Sequence, residues 1–251
     1  MRKILLLVIL FYPVFASFGQ EVDDSLQQGN QYYTEEKYED AIRLYEWILN
    51  EGFVAPELYY NLGNAYFKSH KMTFALLNYE RAKLLDPGNE DIDYNLELAR
   101  SFVIDKTETV PEFFLTQWHN SMVNMFSGDV WAVISMVSFV FLLLVLSVYL
   151  YTRKYSVKKL SFWIGVLLLY ITVSSFVFAL NDRQRVLHPG TALVSASSVT
   201  VESSPDESGT DLFLIHEGTK VLIKERIGDW TRIRLSDGKT GWVPSGSIIE
   251  I

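Results

Sequence analysis

Two uncharged apolar runs constrain this chain more than anything else in it. Val130 to Tyr151 is 22 residues without a charge, and Leu160 to Leu180 is 21. As helices rising about 1.5 Å per residue, each would reach about 30 Å, the thickness of a bilayer's hydrocarbon core. Burial inside a soluble core is the alternative, but the polar regions on either side are too small to enclose two such helices. The expected arrangement is a transmembrane hairpin.

The bend of that hairpin sets its direction. Thr152 to Lys159 carries Arg153, Lys154, Lys158 and Lys159 and no acid. The outer flanks carry Glu112 and Asp129 on one side and Asp182, Arg183 and Arg185 on the other. A basic short loop stays in the cytoplasm. Both long flanking regions then lie on the outer side of that membrane. A second signal agrees. Arg2 and Lys3 precede the apolar run Ile4 to Phe15, and Ala16, Ser17 and Gly19 follow, which is the pattern of a cleavable leader over residues 1–19. The spans hold Ser135, Ser138, Ser147, Thr172, Ser174 and Ser175 but no ionisable group. Ion and proton pathways need such groups at depth, so the hairpin reads as an anchor.

Residues 21–129 carry 20 acids and 8 bases, more than the whole of the chain's net charge of −8. That balance argues against a nucleic-acid ligand. The region repeats itself at an offset of 34: Gly29 with Gly63, Asn30 with Asn64, Tyr32 with Tyr66, Tyr33 with Phe67, Ala41 with Ala75, Tyr45 with Tyr79 and Glu46 with Glu80. The period and the residue types resemble the tetratricopeptide family of helix–turn–helix repeats. The second copy is the fuller one, with Tyr59, Leu62, Gly63, Tyr66, Ala75, Tyr79, Ala82 and Pro87 at pattern positions. The expected domain is 20–110: repeats at about 22–55 and 56–89 and an end helix at 90–105. Gly63 and Ala75 are expected at a close helix crossing, and Tyr66 and Tyr79 between repeats.

Two repeats leave an apolar edge uncovered, since such arrays need about three to close a core. The amphipathic stretch 111–127 offers Phe114, Trp118, Met122 and Phe126 at every fourth position. That face suits either the repeats or the membrane interface.

The resemblance implies a partner-binding groove on the first helices of the repeats. By position its residues are Asn30, Tyr33, Glu57, Tyr60, Asn64, Phe67, Lys68 and Tyr94, flanked by Asp23, Leu26 and Asp91. Relatives that clamp a terminal carboxylate use Lys and Arg at several of these positions. Here Asp, Leu and Tyr stand there, so a basic or aromatic protein segment suits the field better.

After Pro189 the pattern changes to short strands of period two with Gly-containing turns at Glu217-Gly218, Gly228-Asp229 and Ser236-Asp237-Gly238. The segments Glu217 to Val221, Gly228-Asp229-Trp230 and Asp237 to Pro244 resemble the bacterial SH3-like family, and residues 188–251 are expected to form that small barrel. Some members of the family bind peptidoglycan. An early strand that often carries Asn and Arg there is Val199 to Ser204 here, with Glu202. Trp230 and Trp242 are the candidate ligand surface.

Catalysis finds no constellation. The chain has no cysteine, and its four histidines, His70, His119, His188 and His216, fall in separate modules. There is no His-Glu-x-x-His, phosphate loop or nucleophile elbow. No enzyme activity, cofactor or metal is expected. The fold class expected is a multidomain membrane protein: an α-helical repeat domain, a two-helix hairpin (130–151, loop 152–159, 160–180) and a small all-β SH3-like barrel.

In its order of modules, and in the stretches Asp86 to Ala99 and Gly238 to Pro244, the chain resembles the BatE-like tetratricopeptide proteins of the Bacteroides aerotolerance (Bat) group. The resemblance implies a non-catalytic inner-membrane scaffold. It would work with periplasmic or inner-membrane proteins, among them Bat proteins with von Willebrand A domains, in envelope or oxidative-stress tolerance. The alternative reading is a peptidoglycan-binding anchor or envelope sensor acting through the SH3-like tail.

Overall fold

A computed structural model describes residues 21–106, 113–206 and 208–251. The expected leader at 1–19 lies outside them, as does the start of the stretch 111–127. The chain forms two compact units. One comprises the described residues within Met1–Ala82, Glu90–Glu108 and Thr191–Ile251; the other comprises those within Lys83–Asn89 and Thr109–Gly190.

In the first unit, helix α1 covers residues 21–34, followed by α2 (Tyr38–Asn50), α3 (Pro56–Lys68), α4 (Met72–Leu85) and α5 (Glu90–Arg100). Pro56 fits the first turn of α3, where its missing N–H is no loss. The 34-residue offset of the sequence is an offset of the geometry too. The turns after α1 and α3 place Glu36 and His70 at the same left-handed φ of 61°. Lys37 N–H donates to the Tyr32 carbonyl at 2.9 Å, and Lys71 N–H to the Tyr66 carbonyl at 3.0 Å. Side chains repeat as well. Tyr45 Oη donates to Asn30 Oδ1 at 2.7 Å, and Tyr79 Oη to Asn64 Oδ1 at 2.7 Å.

The glycines of the motif make room for these rings. A Cβ on Gly29 would stand 2.6 Å from Tyr45 Cε1, and one on Gly63 would stand 2.7 Å from Tyr79 Cδ1. The close approach at Gly63 is therefore to an aromatic ring of the second helix of its own repeat. Tyr66 bridges the way expected of it: its hydroxyl donates to Glu46 in the preceding repeat.

The β module contains β1 (Thr191–Val194), β2 (Ser198–Glu202), β3 (Asp211–His216), β4 (Lys220–Ile227), β5 (Trp230–Arg234), β6 (Thr240–Pro244) and β7 (Ile248–Glu250). All pairings are antiparallel, in the order β3-β2-β6-β5-β4-β1-β7. Alternation decides which side chains enter the core. Ile233 and Leu235 are buried, while Arg232 and Arg234 point to water. Val194, Val201, Ile215, Val221 and Val243 complete that core.

The uncovered edge of the repeats is closed by this module, and the stretch 111–127 belongs to the other unit. Leu193 of β1, with Ile249 and Ile251 at the C-terminus, packs into the repeat core beside Leu76, Leu77, Leu96 and Ala99. The turn at Gly218 sits against Leu76 and Val103, near enough that a Cβ there would be 3.1 Å from each. Helix α4 is consequently buried on more than one side, from Thr73 to Ala82.

In the second unit, α6 (Phe114–Val123) precedes α7 (Gly128–Tyr151) and α8 (Tyr155–Leu187). Both α7 and α8 are long and apolar enough to cross a membrane. They pack on each other through hydroxyls. Ser135 Oγ donates to the Thr172 carbonyl at 3.0 Å, and Ser138 Oγ meets Thr172 Oγ1 at 2.9 Å. The expected loop 152–159 is shorter than its charge pattern suggests. Only Thr152 to Lys154 are non-helical, and α8 absorbs Lys158 and Lys159 because no Gly or Pro interrupts the stretch. At its other end α8 runs to Leu187, past the expected limit at Leu180. There Asp182 accepts from the Gly128 N–H at 2.9 Å, placing a carboxylate at the N-terminus of α7.

Candidate functional site

The first helices of the repeats, α1 and α3, together with α5, line two adjoining cavities. One, of about 280 Å³, is bounded by Tyr33, Tyr60, Asn64, Phe67, Lys68, Tyr79, Asn95 and Leu98. Its neighbour, of about 250 Å³, is bounded by Asn30, Tyr33, Thr34, Tyr45, Asn61 and Asn64. Six expected groove residues thus converge: Asn30, Tyr33, Tyr60, Asn64, Phe67 and Lys68. Glu57 lies exposed in the first turn of α3, and Tyr94 is 70% exposed on α5; neither lines these cavities.

Asparagines run through both cavities. Asn61 Nδ2 donates to Asn30 Oδ1 at 3.3 Å. Asn95 Nδ2 donates to Asn64 Oδ1 at 2.9 Å and to Tyr60 Oη at 2.8 Å. Asn30 and Asn64 stand 34 positions apart, as do Asn61 and Asn95. The same pair of carboxamides is therefore built twice. Asn61 and Asn95 are not among the groove residues read by position, although they too stand at the 34-residue offset.

The chemistry left to a ligand follows from these bonds. The Oδ1 atoms of Asn30 and Asn64 are occupied by tyrosine hydroxyls and by their neighbouring amides. Their Nδ2 groups line the cavities without a protein acceptor among the described residues. The carboxamide oxygens of Asn61 and Asn95 likewise remain to accept. Burial raises the Tyr33 phenol pKa, with Tyr38 and Tyr60 adding to it. Burial first, then Tyr33, lifts Tyr45 to about 12. Both stay neutral hydroxyls at physiological pH, and among the described residues Lys68 is the one cation that lines the cavities.

A second polar cluster joins the β module to the repeats. Glu80, only 4% exposed, accepts from Arg100 Nη2 at 2.6 Å and from Lys220 Nζ at 2.6 Å. Burial pushes its carboxyl pKa up, but the Lys220 and Arg100 charges and hydrogen bonds outweigh that and hold it below its ordinary value. Asp105 accepts from His216 N–H at 2.6 Å, His216 Nδ1 at 2.9 Å and Thr219 Oγ1 at 2.7 Å. Burial opposes its ionisation too, and the His216 and Thr219 bonds again leave its pKa lowered.

Residues 197–249 match the family described as Bacterial SH3 domain. The C-terminal module is an SH3-like domain. No curated protein matches the chain. Strand β1 precedes the matched stretch, and its Leu193 faces the repeats. Of the two candidate ligand residues of this domain, Trp242 is 8% exposed, a core side chain between Glu202 and Arg232 in the register. Trp230, opposite Pro244, is half-buried and is the one with a face toward solvent.

The histidines stay apart. His70 is in a repeat turn, His119 packs on Phe178, His188 ends α8, and His216 holds Asp105. Among the described residues, no three His, Asp or Glu side chains gather as a metal site would require.

Proposed function

We propose that the chain is a non-catalytic, membrane-anchored adaptor whose repeats hold an extended segment of a partner protein. In this reading α1 to α5 are tetratricopeptide repeats, α7 and α8 cross the inner membrane, and both soluble modules are periplasmic. The carrying observation is the doubled pair of asparagines. Asn30 and Asn64 offer amide donors and Asn61 and Asn95 offer carbonyl acceptors, the complement of a peptide backbone, beside the rings of Tyr33, Tyr60 and Phe67. The excess of 20 acids over 8 bases in residues 21–129 favours a basic or aromatic segment.

Two observations support the topology. The docking of the SH3-like domain on the repeats needs both on one side of any membrane, which is what a two-span hairpin provides. The basic bend between the spans favours the cytosol. The match to a bacterial SH3 family supports a place in the envelope. The resemblance to the Bat group supports other Bat proteins as partners.

Charge at the groove provides the test. Asn61→Arg fills one cavity with a cation, and Lys68→Glu removes the cation of the other. For a basic partner recovered with the full chain in mild detergent, the first variant should weaken capture about tenfold, equal to about 1.4 kcal/mol, and the second should strengthen it. Equal recovery with both variants and the parent would place the partner site elsewhere. The second reading, peptidoglycan contact through the SH3-like domain, rests on the family match. It predicts co-sedimentation of the full chain with purified peptidoglycan that is lost in Trp230→Ala.

A further inference from the structure

Helix α6 is the most apolar exposed element outside the two long helices. It carries no charge. Phe114 is 66% exposed and Trp118 61%, and Leu115 and Met122 are exposed beside them. At 3.6 residues per turn these four side chains share an arc of about 100°. Thr116, Gln117 and Asn120 fill the opposite side, and Ser121 borders the stripe beside Phe114. The stripe is a single, unbroken apolar face on a helix with no buried residue.

The contacts of α6 fix its level along the hairpin. Trp131, in the first turn of α7, donates from Nε1 to the carbonyl of Val123 at 2.9 Å. The Trp131 ring meets Phe126 at 5.3 Å and Phe178 at 5.1 Å, edge to face. His119 packs on Phe178 at 5.8 Å, and Arg185 donates to Asn124. Helix α6 is thus moored at the end of the hairpin where α7 begins. At about 1.5 Å per residue, the 24 residues of α7 measure about 36 Å, against about 30 Å of hydrocarbon. The surplus sets the first turn, with Trp131, at the boundary of headgroups and acyl chains, where Trp is favoured.

From this mooring, and resting on the reading that α7 and α8 span the membrane, we infer that α6 lies in the outer leaflet's interface. Its occupant is lipid: Phe114, Leu115, Trp118 and Met122 insert among the upper acyl chains, and Thr116, Gln117 and Asn120 face away from them. Continuity decides for lipid. His119, Val123 and Asn124 moor the helix from the side away from the stripe, so the stripe stays open beside a hairpin whose own Val130, Val133, Phe176 and Leu180 are exposed. Without Lys or Arg, α6 has nothing with which to select anionic lipid, so it inserts by apolar area alone.

The absence of cysteine makes the test direct. Leu115→Cys, Trp118→Cys, Met122→Cys, Thr116→Cys and Gln117→Cys each take one nitroxide in the full chain. The chain is reconstituted in phosphatidylcholine vesicles, with and without phosphatidylglycerol. Leu144→Cys, at mid-span in α7, is the reference. At 115, 118 and 122 the ratio of collisions with oxygen to collisions with an aqueous nickel complex should be several-fold higher than at 116 and 117, in both lipids. Free access of nickel to 115, 118 and 122 overturns the inference, as does shielding from both reagents, which would mean that protein covers the face. Either result with Leu144 still in hydrocarbon leaves the spans standing. Nickel access at Leu144 would overturn the hairpin and the inference together.

Discussion

Gly63→Leu is expected to unfold the repeats at a temperature well below that of the parent. The Cβ alone would stand 2.7 Å from two atoms of the Tyr79 ring. That ring cannot retreat. It is 1% exposed, its hydroxyl is held on Asn64 at 2.7 Å, and Tyr60 packs on it at 6.0 Å between centroids. Overpacking a core costs about 1–3 kcal/mol, and a branched side chain aimed into a fixed ring falls at or beyond the upper end. Gly63→Ala should take the smaller share of that range, so the pair forms a graded series. Circular dichroism of the detergent-solubilised chain reads the outcome. An unchanged midpoint for Gly63→Leu would mean that the α3–α4 crossing is not built as described.

Lys220→Glu is expected to separate the SH3-like domain from the repeats without unfolding either. Glu80 is buried and now balanced by two cations; the substitution removes one and opposes it with a like charge. Losing one partner of a buried ion pair costs about 3–5 kcal/mol, and the partial exposure of Lys220 brings this nearer about 2 kcal/mol. Acid should act in the same direction. Glu80 and Asp105 have carboxyl pKa values below their ordinary 4.5 and 3.8. Lowered values mean that their contribution is complete above those ordinary values and is lost as pH falls through the lowered ones. Docking should therefore hold at about pH 5 and loosen below about pH 4. Energy transfer between dyes on Glu51→Cys and Ser236→Cys follows it. Persistent transfer in Lys220→Glu at neutral pH would contradict the docked arrangement.

The two kinds of contact differ in how far the sequence announces them. Within the repeats, partners stand at fixed offsets. Tyr45 and Asn30, or Tyr79 and Asn64, are 15 positions apart, and the pattern recurs after 34. Periodicity carries that information, and it carried Asn61 and Asn95 as well. The strands follow from alternation and Gly turns, which are equally local.

Docking has no such signature. Glu80 and Lys220 are 140 positions apart, and Asp105 and His216 are 111 apart, with the hairpin between them. Each residue alone reads as a solvated charge. The hint lay in α4, where apolar and polar side chains are spread around the helix and both Asn78 and Glu80 are buried. A helix without a wet face needs a neighbour on each side. For the same reason the sequence leaves 111–127 suited to either the repeats or the membrane interface, when Leu193, Ile249 and Ile251 cover the repeats.

The proposed topology keeps the two modules on either side of the hairpin together as one body outside the membrane. A membrane-impermeant maleimide tests it on intact spheroplasts making single-cysteine variants of the otherwise cysteine-free chain. Glu51→Cys in the repeats and Gly228→Cys in the SH3-like domain should label before lysis, and Ser156→Cys at the bend only after it. Labelling of one module before lysis and the other only after it would place them on opposite sides and contradict the account.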